Sequence, residues 1–279
     1  HEYDVRPREM KQGNCCPRCS SGNRASKGEI EMREYIRSIL SEDVEVQFNA
    51  RRLIPNSPNT ELDVYIPSMN IGFEFNGIHW HDGDRIGLKD YKKFKQFYQN
   101  EIRVIMFYET EWYFKQDIVK NKIAHILGVN KAKRINASDC IVVGLDNCTK
   151  EKNEFLDKNH IQGADKATKK YGLTYNDELV AVMTFTKARK SLNQTDRDDY
   201  LELSRFATDI NYIIRGGFNK ILKYLVNETD ELDGINIIGT FANRRFSYGN
   251  VYNMSSFNFI HETKPSYWFY KMGTIRRNK

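Results

Sequence analysis

The sequence predicts an α/β protein with about two domains. Its 279 residues are enough for two domains of roughly 100–200 residues each. Apolar residues make up 40% of the chain, enough to build hydrophobic cores and too many for a disordered protein. From Ser26 to Gly128, helix-like and strand-like patterns follow in the order helix, strand, strand, helix, strand, helix. This alternation predicts the α/β class.

The predicted elements of this first block rest on periodicity and on capping signals. Ser26 followed by Glu29 three residues later is a capping box that starts a helix. Pro67–Asn70 supplies a turn between two strand-like runs. We expect strands at 62–66, 71–75 and 103–108, and helices at 91–99 and 113–127.

A second folded block follows a basic, polar link at 131–137 and runs from Ser138 to the end. We expect α+β structure there, with helices at 150–159, 216–229 and 248–254. The expected strands are 139–145, 169–175, 179–187, 200–207 and 235–242, with a terminal hairpin at 256–270. The predicted division is therefore 1–25, 26–130 and 138–279.

Charge and cysteine usage restrict the function classes. The 43 Lys and Arg exceed the 37 Asp and Glu by six, which fits a polyanionic partner without requiring one. No run of about 18 apolar residues and no apolar leader segment occur, so we expect neither a membrane span nor secretion. Five cysteines, three of them within Cys15–Cys19, indicate a reducing cytoplasm. Because residue 1 is His, we expect a fragment of a longer protein.

Cys16-Pro17-Arg18-Cys19 has the spacing of a zinc knuckle. Zinc needs four ligands, and no second pair follows at a zinc-ribbon distance. The segment therefore resembles the back half of a zinc ribbon. Cys16 and Cys19 would bind Zn²⁺ together with ligands outside this chain, or with His1. The alternative is a pair of free, reduced thiols.

Two carboxylates in the first block carry the most information. Asp63 and Glu74 belong to successive strands joined by a short turn, which brings them to the same end of a hairpin. An acid inside the apolar run Ile71–Phe75 is costly unless it is paired or bound to a metal. Carboxylates suit Mg²⁺, which keeps several waters. Glu29 is a candidate third acid, His81 a candidate general base, and Lys92 and Lys95 candidate charge stabilisers. The alternative is that these acids are solvated at strand ends.

These motifs together resemble the PD-(D/E)xK nuclease superfamily. The segments that carry the resemblance are Ser26–Glu29, Glu61–Pro67, Ile71–His81, Tyr91–Lys95 and Ile102–Trp112. They are most similar to the very-short-patch-repair-like branch of phage homing endonucleases. The resemblance implies a mixed central sheet flanked by helices, a restriction-endonuclease-like core, and Mg²⁺-dependent (or Mn²⁺-dependent) hydrolysis of DNA. It also implies metal binding by Asp63 and Glu74 and a catalytic role for Glu29, with Glu31 as the alternative.

One position departs from the superfamily pattern. Asn76 falls where most members carry a catalytic lysine, so the positive charge must come from elsewhere. By resemblance, His81 matches the second histidine of the short-patch-repair branch. Asp90 matches a further acid of that branch, and Lys95 is the candidate for a relocated lysine.

In the second half, Arg215-Gly216-Gly217-Phe218 follows a strand and opens a helix, where free N–H groups favour an anion. This loop, the strand order, and Tyr248–Tyr252 with Phe257 resemble the GNAT acyltransferase fold. In that fold the loop would hold a pyrophosphate and Tyr252 would lie near the thiol of the acyl carrier. The loop departs from the family's glycine spacing. The alternative is that the two glycines only cap the start of a helix and bind no ligand.

We favour a DNA-recognition role for this half over acyl transfer. The same loop can hold DNA phosphates, and such contacts position a protein without specifying a sequence. Asn159–Gly163 is a polar loop that can contact either substrate. The candidate DNA-binding cations are Lys92, Arg189, Arg205, Arg215, Lys220, Arg244 and Arg245.

The sequence thus predicts a Mg²⁺-dependent, site-specific endonuclease acting on double-stranded DNA in a phage-infected bacterial cytoplasm. A homing enzyme needs a long recognition site, so extra modules beside a small catalytic core are expected. Alternatives are an acyltransferase acting on nucleic acid or protein, and a DNA-binding protein with a decayed nuclease core. The presence of both Asp63 and Glu74 argues against decay. One or two metal ions, and cutting by a single chain or by a homodimer, are alternatives that fit this prediction.

Overall fold

The computed structural model describes residues 25–77, 84–187, 198–227, 229, 232 and 234–263, and the backbone of 268–271 and 274–277. For 84–89 it describes the backbone alone. The predicted zinc ligands Cys16 and Cys19 lie outside these residues, as do His1, His81 and Arg189.

The first half contains four α-helices and four strands within the part of the chain that the structure describes. In chain order they are α1 (Lys27–Ile39), β1 (Gln47–Ala50), β2 (Leu62–Ile66), β3 (Ile71–Asn76), α2 (Asp84–Gln99), β4 (Arg103–Tyr108), α3 (Glu109–Phe114) and α4 (Gln116–Ile126). The three predicted strands are confirmed. The predicted last helix is two helices, α2 starts earlier than predicted, and β1 was not predicted.

The first helix starts as its capping signal predicts. The Glu29 N–H donates to Ser26 Oγ at 3.2 Å, and the Ser26 N–H donates to Glu29 Oε2 at 3.3 Å. Each bond satisfies a donor that the helix itself leaves unpaired.

The strands of this half form one mixed sheet in the order β1-β2-β3-β4. The β1–β2 and β2–β3 pairs are antiparallel, whereas β3 and β4 are parallel and are joined through α2. Val64 pairs with Phe73, and Asn76 pairs with Tyr108. The ends of β3 and β4 therefore lie side by side.

Helices cover this sheet through two apolar clusters. One contains Met32 and Ile36 of α1 with Phe73, Phe107 and Trp112. The other joins Phe94 and Phe97 of α2 to Leu62, Val104 and Met106. Burial of these large side chains is the main stabilising term, at about 1.5–3 kcal/mol each.

The elements of the second half are β5 (Lys133–Asn136), β6 (Ile141–Gly144), α5 (Thr149–Asn159), β7 (Lys169–Tyr175), β8 (Glu178–Lys187), β9 (Tyr200–Thr208), β10 (Tyr212–Arg215), α6 (Gly217–Asn227), β11 (Ile237–Thr240), α7 (Asn250–Asn253), β12 (Trp268–Lys271) and β13 (Thr274–Arg277). Five of the strands form one sheet in the order β11-β9-β8-β7-β6. Neighbouring strands in this sheet are antiparallel except β9 and β11, which are parallel and flank α6 in the chain.

Two predictions for this half need correction. The segment 131–137, predicted as a link, contains β5, which pairs in parallel with β10. The terminal hairpin consists of β12 and β13 and lies further along the chain than predicted. No helix among the described residues has the length and apolar character needed to span a bilayer.

A segment of the second half packs on the open edge of β4. The Met106 N–H donates to the Arg245 carbonyl at 3.3 Å, and the Phe246 ring lies 5.4 Å from that of Phe107. Tyr248 contacts the ring of Tyr98 at 4.5 Å between centroids. Residues 243–248, here called the edge segment, therefore tie the two predicted domains together.

Candidate active site

The two predicted metal-binding acids lie together where β2 and β3 separate. On the side of the acids, the last residue pair between β2 and β3 is Val64 with Phe73. Beyond it, the Phe75 N–H donates to Asp63 Oδ2 at 2.7 Å, so a carboxylate replaces a backbone acceptor. Burial raises the pKa of Asp63, and this hydrogen bond partly offsets the shift. The hairpin thus brings Asp63 beside Glu74, as the sequence predicts.

Glu74 is buried, with one oxygen paired and one unpaired. Its Oε2 accepts from Lys93 Nζ at 2.6 Å. Its Oε1 has no hydrogen-bond partner among the described residues. Burial raises the pKa of Glu74 to about 8; the charge of Asp63 adds to the rise and Lys93 opposes it. A cation beside Oε1 would satisfy the unpaired oxygen and favour the charged acid.

The lysine at this site is Lys93, which the sequence did not single out. Lys92 is exposed, and Lys95 is exposed with its Nζ 5.9 Å from the Tyr91 ring centroid. Neither contacts the acids. Lys93 and Phe97 are four residues apart on α2 and so share a helix face, and Phe97 is in the core. That spacing was the available signal for Lys93.

Glu29 lies close enough to Asp63 for their charges to interact. Burial and the charge of Asp63 raise the pKa of Glu29, while Arg33 lowers it. Arg33 donates to Glu29 and to Asn49, so it holds this acid in place. The alternative acid, Glu31, accepts instead from Trp112 Nε1 at 2.9 Å. Of the two candidates, Glu29 is therefore the one that faces the acidic pair.

The end of β3 adds a polar side chain, and the neighbouring strand adds a tyrosine. Asn76 is buried and lies in register with Tyr108. Burial raises the pKa of Tyr108; Arg245 lowers it, and the charges of Glu111 and Asp90 raise it. Asp90 of α2 therefore lies near the Tyr108 hydroxyl. Tyr108 was not predicted, because the sequence alone does not show which strand end neighbours Asn76.

The acidic pair fits a magnesium ion. The described residues contain no group of three or more His, Cys, Asp and Glu side chains arranged to hold a metal. Magnesium needs only one or two carboxylates because water completes its shell. Asp63 and Glu74 supply two, and the unpaired Glu74 Oε1 is a ready ligand.

Two of the predicted DNA-binding cations, Arg205 and Lys220, donate to backbone carbonyls inside the second half. Arg205 is buried, and it donates to the carbonyls of Gly163 (3.3 Å) and Ser204 (2.7 Å). Lys220 Nζ donates to the carbonyls of Ala137 (2.7 Å) and Cys140 (2.5 Å). Both side chains satisfy buried backbone acceptors, which would be left unpaired if they turned outward.

Two more predicted cations hold the edge segment. Arg245 donates from both terminal nitrogens to Glu111, at 2.7 and 2.8 Å. This bidentate pair occupies the guanidinium that was predicted to contact DNA. Arg244 pairs with Glu262 at 2.7 Å and lies over the Tyr91 ring. Among the described candidates, Lys92 and Arg215 remain exposed.

The glycine loop of the second half has the local geometry that its sequence predicts. Gly216 has φ +80° between β10 and α6, a conformation that strains residues with a Cβ. Tyr252 packs against the rings of Phe218 and Phe257, both at 5.8 Å. Asn159 is buried, and its amide bonds Phe155 O and the Ile210 N–H. This asparagine is therefore a structural residue of the predicted substrate loop.

Comparison with known proteins adds little to this geometry. No family model matches the chain, and no curated protein matches it. Among solved structures it is similar to "The crystal structure of a possible acetyltransferase from Clostridium difficile 630". The two chains are 15% identical, and the match covers 47% of this chain and 99% of that chain with a TM-score of 0.34. A likeness this weak supports no argument about fold or activity.

Proposed function

We propose that this protein is a Mg²⁺-dependent endonuclease that hydrolyses phosphodiester bonds of DNA at a specific site. The observation that carries the proposal is the cluster of Asp63, Glu74 and Lys93. It combines two carboxylates, one with an unpaired buried oxygen, and a lysine bonded to that same acid.

Each member of the cluster has a definite task in phosphodiester hydrolysis. Asp63 and Glu74 would hold the ion. Bound Mg²⁺ neutralises phosphate charge and lowers the pKa of a water. Lys93 keeps a positive charge beside the site, where charge builds up on the phosphate in the transition state. Glu29, held by Arg33, keeps a further negative charge near Asp63.

Lys93 supplies what Asn76 cannot. In the resembled superfamily the lysine stands at the position of Asn76, on the strand. Here the ammonium group comes from α2 and contacts Glu74 directly. The mixed sheet with parallel β3 and β4, flanked by helices, is consistent with a restriction-endonuclease-like core. The assignment to the very-short-patch-repair-like homing branch rests on the motifs.

The second half would extend the contact with DNA beyond this small core. Arg215 is exposed beside the Gly216 loop and α6, where backbone N–H groups favour a phosphate. A zinc knuckle at Cys16 and Cys19 would add a further module. A long target site needs such additions.

The test is cleavage of supercoiled plasmid and phage DNA in Mg²⁺ or EDTA by wild type, Asp63→Asn and Glu154→Gln. Glu154 is an exposed acid of α5 and serves as the matched control. We expect Mg²⁺-dependent cutting by wild type and Glu154→Gln, and a loss of at least about 100-fold in Asp63→Asn. Equal cutting by all three would reject the assigned site. Absence of cutting by wild type in Mg²⁺ or Mn²⁺, with DNA binding intact, would indicate a non-catalytic binder.

A further inference from the structure

Three cations converge on one residue of the edge segment, Phe246. Arg103 Nη2 donates to the Phe246 carbonyl at 2.9 Å. Lys122 Nζ and Arg245 Cζ each lie 4.7 Å from the centroid of the Phe246 ring. These three cations, here called the Phe246 cluster, come from β4, α4 and the edge segment.

The charges of the Phe246 cluster do not balance. Glu111 neutralises Arg245 through the bidentate pair. Neither Arg103 nor Lys122 forms an ion pair with a carboxylate of the described residues. Burial lowers the pKa of Lys122. The charges of Arg245 and Arg103 lower it further, and the charge of Glu111 raises it. Two positive charges are thus held together without an anion.

The positive region extends further along α4 and onto β5. Burial lowers the pKa of His125, and Lys122, Arg103 and Arg134 lower it further. His125 and Arg134 are exposed, and Arg103 and Lys122 are partly exposed, so the positive region borders solvent. Lys122 Nζ has no hydrogen-bond acceptor among the described residues. Apart from its contact with the Phe246 ring, the ammonium group therefore has donors left for a ligand.

Like charges held this close destabilise the fold unless something compensates them. The cations are fixed by elements with their own packing, so little side-chain entropy is lost when an anion binds. Phosphate oxygens accept from both ammonium and guanidinium donors. The surface therefore fits phosphate groups.

We propose that Arg103, Lys122 and Arg134 form a phosphate-binding surface that contacts the DNA backbone away from the catalytic acids. The phosphate chemistry follows from the cluster, whereas the choice of DNA rests on the proposed function. Arg103 begins β4, and Tyr108, the partner of Asn76, ends it. Five residues of strand span about 17 Å, or roughly five base pairs along a duplex. One strand edge would thus contact DNA at both ends.

The experiment measures duplex binding by fluorescence anisotropy in EDTA, where no cutting occurs, for wild type, Lys122→Met, Lys122→Arg and Lys150→Met. Lys150 is an exposed lysine of α5 and is the matched control. Loss of one phosphate contact should reduce the slope of log K against log salt by about 0.9. Affinity should then fall about fivefold at 0.15 M salt and about fifteenfold at 0.05 M. Lys122→Arg and Lys150→Met should bind like wild type.

Thermal unfolding separates a lost contact from a lost fold. Because Lys122 is surrounded by like charges, Lys122→Met should unfold at the wild-type temperature or above it. Unchanged affinity and salt slope in a folded Lys122→Met would overturn the inference. A second result would also overturn it: inorganic phosphate raises the unfolding temperature of wild type but not of Lys122→Met, while both proteins bind DNA equally well. The site would then bind free phosphate and not the DNA backbone.

The outcomes also separate this inference from the proposed function. If Lys122→Met weakens DNA binding but wild type never cuts DNA, the proposed phosphate-binding surface is supported and the proposed nuclease activity is rejected. If wild type cuts and Lys122→Met binds normally, hydrolysis stands and the surface is wrong. If wild type binds no duplex, the inference is wrong as well.

Discussion

Replacing Lys93 by Met tests most directly whether the cluster is catalytic. The change keeps the apolar stem of the side chain and removes its charge and the 2.6 Å bond to Glu74. If Lys93 stabilises phosphate charge in the transition state, kcat for DNA cleavage should fall by about 10²–10³. Lys92→Met, one residue away and exposed, is the matched control: Lys92 does not contact Glu74, so kcat should stay at the wild-type value even if DNA binding weakens.

The cost to folding should be much smaller than the cost to activity. A hydrogen bond to a charged group contributes about 1.5–3 kcal/mol. The pKa of Glu74 is already raised to about 8, so at pH 7 this acid can stay protonated when its partner is lost. We therefore expect Lys93→Met to lose about 1–3 kcal/mol, which lowers Tm by roughly 2–12 °C for a chain of this size. The variant remains folded at 25 °C.

The assay is single-turnover cleavage at saturating Mg²⁺, with Tm measured on the same preparations. Lys93→Arg restores a charge with a different shape and should recover part of the activity. The assignment of Lys93 is refuted if Lys93→Met cuts normally. It is also refuted if Lys92→Met or Lys95→Met causes the loss, because the active lysine would then be a side chain that does not contact Glu74.

Three further predictions concern stability. Arg245→Met leaves buried Glu111 without its cation, with the Tyr108 N–H as its remaining donor, and should cost about 3–5 kcal/mol in urea unfolding; a change under 1 kcal/mol would show that the pair does not hold the edge segment. In EDTA, the raised pKa of Glu74 means that the folded state retains a proton between about pH 4.5 and 8 that the unfolded state releases. Stability from this group is complete below pH 4.5 and is lost as the pH rises to 8, by at most about 1.4 kcal/mol per unit; Glu74→Gln should remove that slope, and an unchanged slope would contradict it. Gly28→Ala would place a Cβ 2.5 Å from the Phe75 ring, so we expect a loss of about 1–3 kcal/mol by thermal unfolding, and wild-type stability would show that the ring can move.

The elements that the sequence predicts correctly are those with strong local signals. The capping box fixed the start of α1, and continuous apolar runs marked β2, β3 and β4. β1 and β5 have only four residues each and are partly polar. They become strands because β2 and β10 provide hydrogen-bonding partners, and local patterns carry no such information.

The site shows the same division. An acid inside an apolar strand needs a partner, so Glu74 was found from the sequence. Its partner Lys93 depends on the rotation of α2 about its axis, and an error of one residue in the helix position changes that rotation by about 100°. The pairing of Arg245 with Glu111 joins residues 134 apart, and no local pattern indicates it.

The predictions for the cations show why counting basic residues is a weak guide to a nucleic-acid surface. Arg205, Lys220 and Arg245 were chosen because they are basic, yet each is occupied by carbonyls or a carboxylate. What matters for an external anion is positive charge without a carboxylate partner. Among the described residues neither Arg103 nor Lys122 pairs with a carboxylate: Arg103 donates to the Phe246 carbonyl, and Lys122 lies over the Phe246 ring. The contact that joins the two halves therefore holds both cations, and the same β4 edge ends at Tyr108 beside the candidate active site.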